Sequence, residues 1–133
     1  MSKNLLPIAV GALILIILAG FALLSVDSKP REIAGPLKSD EELQKISLDP
    51  KIMNLGKSLY IAQCGRCHGP GGTGGIGSIL NDDQWIHGQG RLSDIEKTIR
   101  DGVQRKGMPA WGYLLTIDQI DAITIYVKSF SKK

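Results

Sequence analysis

The first feature of the sequence is an uninterrupted apolar run, Leu5–Leu24, that carries no charged residue. Twenty residues of helix rise about 30 Å, which matches the hydrocarbon core of a bilayer. A cleaved signal peptide usually has a shorter apolar region, and the one candidate cleavage site, at 20–22, is poor. The pattern therefore predicts an uncleaved transmembrane signal-anchor helix within residues 1–26.

The rest of the chain alternates amphipathic stretches with loops rich in glycine. Apolar spacing predicts three main helices: Asp49 to about Gln63, Ser93 to Gly102, and Thr116 to about Phe130. Their apolar faces consist of Ile52, Leu55, Leu59 and Tyr60, of Ile95 and Ile99, and of Ile120, Ile123, Tyr126, Val127 and Phe130. No stretch convincingly resembles a strand, and the predicted fold class is all-α.

Capping-box patterns mark the helix starts: a serine or threonine is followed three residues later by glutamate or glutamine. The pairs are Ser39 with Glu42, Ser93 with Glu96, and Thr116 with Gln119. The first pair predicts a short additional helix over 39–46. Gly102 is placed to end the second main helix.

The segment between the apolar run and the first long helix is charged and contains Pro30, Gly35 and Pro36. It predicts a linker over residues 27–48, which either tethers a swinging domain or lies against a partner subunit. Residues 49–133 form the predicted soluble domain.

Composition narrows the functional classes. The net charge of +3 arises from 16 basic and 13 acidic residues that are interspersed, which argues against nucleic acid as a partner. Two cysteines exclude a disulfide-rich scaffold. About a hundred residues follow the apolar run, and they hold few large aromatic side chains. A core of that size is marginal unless a disulfide, a metal or a bulky cofactor fills it.

Cys64, Cys67 and His68 form a C-x-x-C-H motif, which is typical of c-type haem attachment. Two thiols one helical turn apart can each form a thioether to a vinyl group, and the next residue is then held under the iron as proximal ligand. A thioredoxin-like redox pair would need a βαβ context. A zinc site would need four ligands, and only His68 and His87 are available besides the two thiols. One covalently bound haem c is the favoured interpretation over these and over a structural disulfide.

Met108 is the candidate sixth ligand. It lies forty residues after His68, in a loop between Gly107 and Pro109, and this spacing allows the chain to wrap round a porphyrin. Two alternatives remain open: His87 as the second ligand, or simple packing of Met108 in its loop. Trp85 could donate its indole N–H to a haem propionate, or could merely pack.

The glycine-rich stretch from Gly69 to Gly74 matches G-x-G-x-x-G by letter. It follows no predicted strand and opens no helix, so a dinucleotide site is excluded by context. We expect these glycines because backbone close to a flat porphyrin edge has no room for Cβ atoms and needs positive φ.

The stretch from residue 56 to 130 resembles the class I cytochrome c fold, in which three to four helices wrap round one haem. Gly56 and Tyr60 look like that fold's close contact with an aromatic residue of the last helix, here Tyr126. By this resemblance Cys64, Cys67 and His68 match the haem-binding signature and Met108 the distal methionine, so His68 and Met108 would be the iron ligands.

The closer resemblance is to the haem domains of the membrane-anchored cytochrome c subunit of C-type haem–copper oxidases. Its motifs are matched by Asp82, Asp83, Trp85 and Gly88, by Met108 to Trp111, and by Tyr126 to Ser129. The resemblance covers about 75 of 133 residues. That subunit usually carries two haem domains in tandem, whereas this chain has one C-x-x-C-H.

The resemblance implies an electron carrier rather than an enzyme. Such a protein would transfer single electrons within or to a respiratory or photosynthetic membrane complex, with a terminal oxidase as the expected complex. Two alternatives stay open: a haem-based sensor or small-molecule binder with a displaceable distal ligand, and a structural zinc module. The expected partners are the lipid bilayer, integral membrane subunits and a redox protein as electron donor.

The expected location is the cytoplasmic membrane, with the haem domain on the periplasmic or outer face. Lys29 and Arg31 follow the apolar run while only Lys3 precedes it, which weakly favours the opposite orientation. Thioether attachment takes place outside the cytoplasm in bacterial c-type cytochromes generally, and this requirement overrides a charge bias.

Overall fold

The computed structural model describes residues 35–131. Its helices are α1 (Asp40–Ile46), α2 (Pro50–Leu59), α3 (Gly65–His68), α4 (Leu92–Asp101) and α5 (Ile117–Lys128). A π-helical turn, Tyr60–Cys64, joins α2 to α3, and 3-10 turns lie at Pro70–Gly72, Gln104–Lys106 and Trp111–Tyr113. Over this part of the chain the only β pairing is one bridge between Val103 and Met108, in agreement with an all-α fold.

The predicted anchor over 1–26 lies outside the described residues, as does the linker up to residue 34. From residue 35 to 131, none of the helices has both the length and the apolar character needed to cross a membrane.

Helix starts follow local capping chemistry in two of the three predicted cases. Ser39 begins α1 with Glu42 as its box partner, and Thr116 begins α5 with Gln119. The predicted start at Ser93 with Glu96 is wrong, because α4 begins earlier, after Arg91, and Asp94 accepts from the Arg91 backbone N–H. Glu96 is instead fully buried. Gly102 ends α4 at φ 68°, as predicted.

The first long helix also differs from its prediction near its end. The chain stays helical past Gln63, through the π-helical turn and α3, as far as His68. Gly69, at φ 73°, then reverses the chain. The motif C-x-x-C-H therefore forms the last turns of one long helical segment.

The close contact between α2 and α5 at Gly56 confirms the predicted helix crossing. A Cβ at Gly56 would overlap the Ala122 carbonyl oxygen and would lie 2.9 Å from Tyr126 Cβ. Next to this point the rings of Tyr60 and Tyr126 meet edge to face, with centroids 5.5 Å apart. Glycine thus lets two backbones approach, and the aromatic side chains fill the space beside them.

Two apolar clusters make up the core. The first cluster consists of Tyr60, Ile95, Ile99, Leu115, Ile120, Ile123 and Val127. The second cluster is smaller and consists of Leu43, Leu92 and Ile125. Because α5 contributes to both clusters, it is buried on more sides than the single apolar stripe in its sequence predicts.

The segment 38–46, which the sequence placed in the linker over 27–48, packs on the domain. Leu43 is completely buried in the second cluster. The backbone N–H of Lys38 contacts both carboxylate oxygens of Glu96 at 3.2 Å, and Asp40 Oδ1 accepts from the Ser93 N–H at 2.8 Å. These long-range bonds hold the segment against α4.

Candidate functional site

The end of the long helical segment presents the two thiols of the C-x-x-C-H motif. Both cysteines are free, with Cys64 half-buried and Cys67 exposed. Three residues apart in a helix, they point to one side of it. Burial, and secondarily the neighbouring Cys67, raises the pKa of the Cys64 thiol to about 11. Redox-active thiol pairs have a lowered pKa, so this environment does not favour thioredoxin-like chemistry.

His68 is oriented by a hydrogen bond from its Nδ1 to the Ser78 carbonyl oxygen, 2.9 Å away. A carbonyl oxygen can only accept, so Nδ1 carries the proton. With Nδ1 occupied in this way, Nε2 is the ring nitrogen left to bind a metal. Metal-ligating histidines are commonly fixed through their other nitrogen in this way.

The glycine-rich loop holds the end of α3 in place. The N–H of Gly74 donates to the His68 carbonyl at 2.7 Å, and the N–H of Gly77 donates to the Cys67 carbonyl at 2.8 Å. A Cβ at Gly77 would lie 2.9 Å from His68 Cε1 and Nδ1. The contacts that require glycine here are therefore with the protein itself, a reason the sequence analysis did not give.

Met108 is held by a small backbone clasp. Val103 and Met108 exchange both N–H···O bonds, at 3.0 and 3.2 Å, and Gly107 takes the left-handed turn before Met108. A Cβ at Gly102 would lie 2.5 Å from the Pro109 carbonyl group, so the chain after Met108 lies directly on the end of α4. Met108 is half-buried and packs against the first cluster, as does Cys64.

Trp85 also packs against the first cluster and is half-buried. Its indole lies on Gly90, where a Cβ would overlap the ring. Lys128 fixes this arrangement, since its ammonium donates to the Gly90 carbonyl at 2.7 Å and lies 5.7 Å from the indole centroid. The role of Trp85 toward a propionate stays a prediction.

His87, the alternative ligand, is exposed. It lines an open groove with Asp94, Lys97, Gly102 and Val103. It does not belong to the apolar cluster that Cys64, Trp85 and Met108 share, although Val103 links its groove to the Met108 clasp.

The residues present fit a haem. The possible donors are two free thiols, the His68 imidazole with its Nε2 directed as a ligand, and the Met108 thioether. Half-buried Leu80 and Trp111 pack on the same apolar cluster as Cys64 and Met108. In the loop that follows His68, Ile76 and Ile79 expose 93% and 49% of their surface, which leaves apolar area for a large flat group to cover. Across residues 35–131, no three His, Cys, Asp or Glu side chains are grouped as a metal ion would need.

Sequence reasoning missed three supporting groups: the Ser78 carbonyl, the Val103 backbone and the Lys128 ammonium. Two of these are main-chain atoms, which no residue pattern reveals. The glycines at 102 and 107, five residues apart and before Met108, were the one available signal for the clasp.

Comparison with known proteins finds a matching family model and relatives that are cytochrome c subunits of cbb3-type oxidases. A family model described as cytochrome c oxidase, cbb3-type, subunit III matches residues 52–127. The chain is 38% identical over 113 residues to the cbb3-type cytochrome c oxidase subunit CcoP of Azospirillum sp. (strain B510), covering 72% of this chain and 37% of the relative. It is 35% identical over 115 residues to the subunit FixP of Azorhizobium caulinodans, covering 77% and 39%. The chain thus spans under two fifths of the length of these curated relatives.

A solved structure shares the fold. Cytochrome cL from the marine methylotrophic bacterium Methylophaga aminisulfidivorans MPT superposes with a TM-score of 0.59 at 26% identity, covering 80% of this chain and 71% of that one. The helices described above therefore have the arrangement of a cytochrome c.

Proposed function

Because the chain belongs to the family of cytochrome c oxidase, cbb3-type, subunit III, we propose that it is a membrane-anchored monohaem cytochrome c that carries single electrons. It would carry electrons within or to a respiratory or photosynthetic membrane complex. Because its relatives are subunits of cbb3-type cytochrome c oxidases, a terminal oxidase is the proposed complex. The observation that carries the proposal is the hydrogen bond from His68 to Ser78, which directs Nε2 as a ligand at the end of a C-x-x-C-H helix.

The chain's own residues would perform four tasks. Cys64 and Cys67 would hold haem c covalently, and His68 Nε2 would bind the iron on the proximal side. Met108 would bind on the distal side, held there by its backbone clasp with Val103. Trp85 would lie near a propionate. The haem, when bound, supplies a one-electron iron couple, whose potential a methionine–histidine pair raises relative to two histidines.

The clasp around Met108 supports a carrier rather than a sensor. Two backbone hydrogen bonds and the close approach at Gly102 fix the ligand loop on α4, so displacing Met108 would require breaking packed contacts. A sensor that binds small molecules would need a distal ligand that leaves easily. No residue is proposed to perform bond chemistry on a substrate.

Haem attachment is tested by haem staining after denaturing electrophoresis of the full-length protein. We expect one haem per chain that survives denaturation, and none after the double change Cys64→Ala and Cys67→Ala. Haem that is lost on denaturation, or a ratio of two per chain, would contradict a single thioether-bound group.

The distal ligand is tested by Met108→Leu, with Met53→Leu as matched control, because Met53 packs against the second cluster. Axial ligands set haem potentials over a range of about 0.8 V. We expect Met108→Leu to lower the potential by on the order of 0.1 V, and to let ferrous iron bind carbon monoxide. Met53→Leu should do neither. If Met108→Leu behaves like the parent while His87→Ala changes the spectrum, His87 is the ligand.

The proposed location is the cytoplasmic membrane, with residues 1–26 spanning it and the haem domain on the periplasmic or outer face. The apolar run and the need for haem attachment outside the cytoplasm support this orientation. Integral membrane subunits, the bilayer and a redox donor would be the partners. Protease added to the outside of spheroplasts should cleave the domain. Protection of the domain would contradict the proposed topology.

A further inference from the structure

A buried charge cluster joins segment 38–46 to the two long C-terminal helices. It consists of Lys38, Glu96 on α4 and Asp121 on α5. Glu96 is fully buried and Asp121 is 1% exposed. The Lys38 ammonium forms an ion pair with Asp121 Oδ2, while its backbone N–H contacts both Glu96 oxygens at 3.2 Å. Two carboxyl groups are thus removed from water with one cation between them.

The hydrogen bonding of this cluster is incomplete if both carboxyl groups are ionised. Asp121 Oδ1 is buried and, within residues 35–131, has no hydrogen-bond partner. Both carboxyl groups contact Lys38, and a side-chain hydrogen bond with Glu96 is among the influences that act to lower the pKa of Asp121. An ionised carboxylate can only accept, whereas a protonated one also donates. A proton on Glu96 would give Asp121 Oδ1 its missing donor and would leave one negative charge for Lys38.

The electrostatic surroundings agree with a neutral Glu96. Burial is the largest influence and raises its pKa to about 7, and Asp121 acts in the same direction. The Lys38 backbone N–H, the Lys38 charge and Arg100 on α4 oppose this shift. Burial also raises the pKa of Asp121, against the hydrogen bond from Lys38. Asp118 contacts Lys38 only at 3.8 Å and is largely exposed.

We propose that Glu96 and Asp121 share one proton, and that this proton latches segment 38–46 onto α4 and α5. When the segment leaves, Glu96 meets water, the shared proton passes to solvent, and two separate carboxylates remain. Proton release and segment release are therefore linked. The latch is tightest in acid, loosens as pH rises from about 4.5 to about 7, and stays loosened above that range. An ordinary lysine–carboxylate pair would not loosen with rising pH over this range.

The latch is separate from the haem site. It is built by α1, α4 and α5 on the second cluster, and segment 38–46 lies outside the family match at 52–127. Its function would be to set where the folded domain begins. With the latch closed the packed chain begins at Lys38, and with the latch open it begins only after α1. The inference therefore stands or fails independently of the proposed electron transfer.

Hydrogen exchange of the full-length, haem-loaded protein tests the latch. The exchange protection of amides 41–47 is followed from pH 6 to 8.5, relative to the α2 amides in the same sample, which cancels the intrinsic pH dependence. The pKa of Glu96 is about 7 when the segment is latched and near its ordinary value of 4.5 when it is released. The exchange protection of amides 41–47 should therefore fall about tenfold across this range. Constant protection, or protection that rises with pH, would overturn the proposal.

Two variants and one control locate the proton. Glu96→Gln keeps a donor toward Asp121 and an acceptor for Lys38. In this variant the exchange protection of amides 41–47 should therefore not change with pH. Asp121→Asn should shrink the change, because Glu96 then ionises more readily beside Lys38. Glu41→Gln, on the exposed side of α1, should behave like the parent.

Infrared spectroscopy provides a readout that a merely structural role would not move. At pH 6 the parent should show a protonated-carboxyl band that Glu96→Gln lacks. If the band is absent in the parent, ordered water rather than a proton satisfies Asp121 Oδ1, and the latch is refuted. Unchanged pH dependence in either cluster variant refutes it as well, so failure of one variant to fold leaves the other decisive.

Discussion

The helix crossing at Gly56 yields a sharp stability prediction through the change Gly56→Ala. A new Cβ would overlap the Ala122 carbonyl oxygen and would lie 2.6 Å from its carbonyl carbon and 2.9 Å from Tyr126 Cβ. Backbone atoms cannot rotate away, so α2 and α5 must separate. Overpacking of this kind costs about 1–3 kcal/mol. Alanine recovers up to about 1 kcal/mol of helix propensity relative to glycine, so we expect a net loss of about 1–2 kcal/mol.

The matched control is Gly65→Ala, which places the same methyl group in a helix with room for it. Its nearest neighbour would be the Tyr60 carbonyl oxygen at 3.6 Å, an ordinary contact. Denaturant titration of both variants and the parent gives the free energy of unfolding from the midpoint, provided that the slope stays constant. The two substitutions should have opposite signs, with Gly65→Ala neutral or stabilising by up to about 1 kcal/mol.

The sign of the difference decides the outcome. If Gly56→Ala stabilises the protein as much as Gly65→Ala does, the two helices do not touch at residue 56, and the reasoning about their crossing fails. A changed slope for Gly56→Ala alone would instead mean that the native or unfolded state has changed in compactness.

Two further predictions concern the surface of α4 and the second cluster. The Arg91 guanidinium, followed by the Gln89 backbone N–H, lowers the pKa of Asp94 to about 2. The stability that Asp94 contributes should be present above about pH 4 and lost as pH falls through 2. The parent and Asp94→Asn should therefore differ in denaturant midpoint at pH 7 and converge only below about pH 2. Leu43→Ala should lower the free energy of unfolding by about 2–4 kcal/mol because the side chain is fully buried. The control Leu48→Ala, at a position 80% exposed, should change it by under about 0.5 kcal/mol. Equal effects of the two changes in thermal or denaturant unfolding would contradict the docking of α1.

Local chemistry explains which parts of the fold were predictable. The capping boxes at Ser39 and Thr116 were recognised because each requires only residues three apart. The same pattern failed at Ser93, since Asp94 competes for the neighbouring backbone N–H groups and begins the helix earlier. Whether a glutamate caps a helix or is buried depends on what packs against it, and the pattern does not contain that information.

The candidate site likewise contains some features that the sequence predicts and others that it does not. The motif at Cys64, Cys67 and His68 is contiguous and could be recognised directly. The partner of His68 is a main-chain oxygen at Ser78, and the clasp of Met108 is a main-chain pairing with Val103, so neither has a side-chain signature. The glycines were noticed in the sequence but given an incomplete reason, because the atoms they make room for belong to other parts of the folded chain.

The burial of α5 on more than one side decides where the folded unit begins. Its apolar stripe faces the first cluster, but Asp121 and Ile125 are buried as well. Ile125 is covered by Leu43, and Asp121 forms an ion pair with Lys38, 83 residues earlier in the chain. A domain that started at Asp49 would expose this apolar surface and would leave a buried carboxylate without its partner, which is costly in a protein interior. Segment 38–46 is therefore part of the structure that supports α5, and α5 in turn carries the cluster on which Cys64 and Met108 pack.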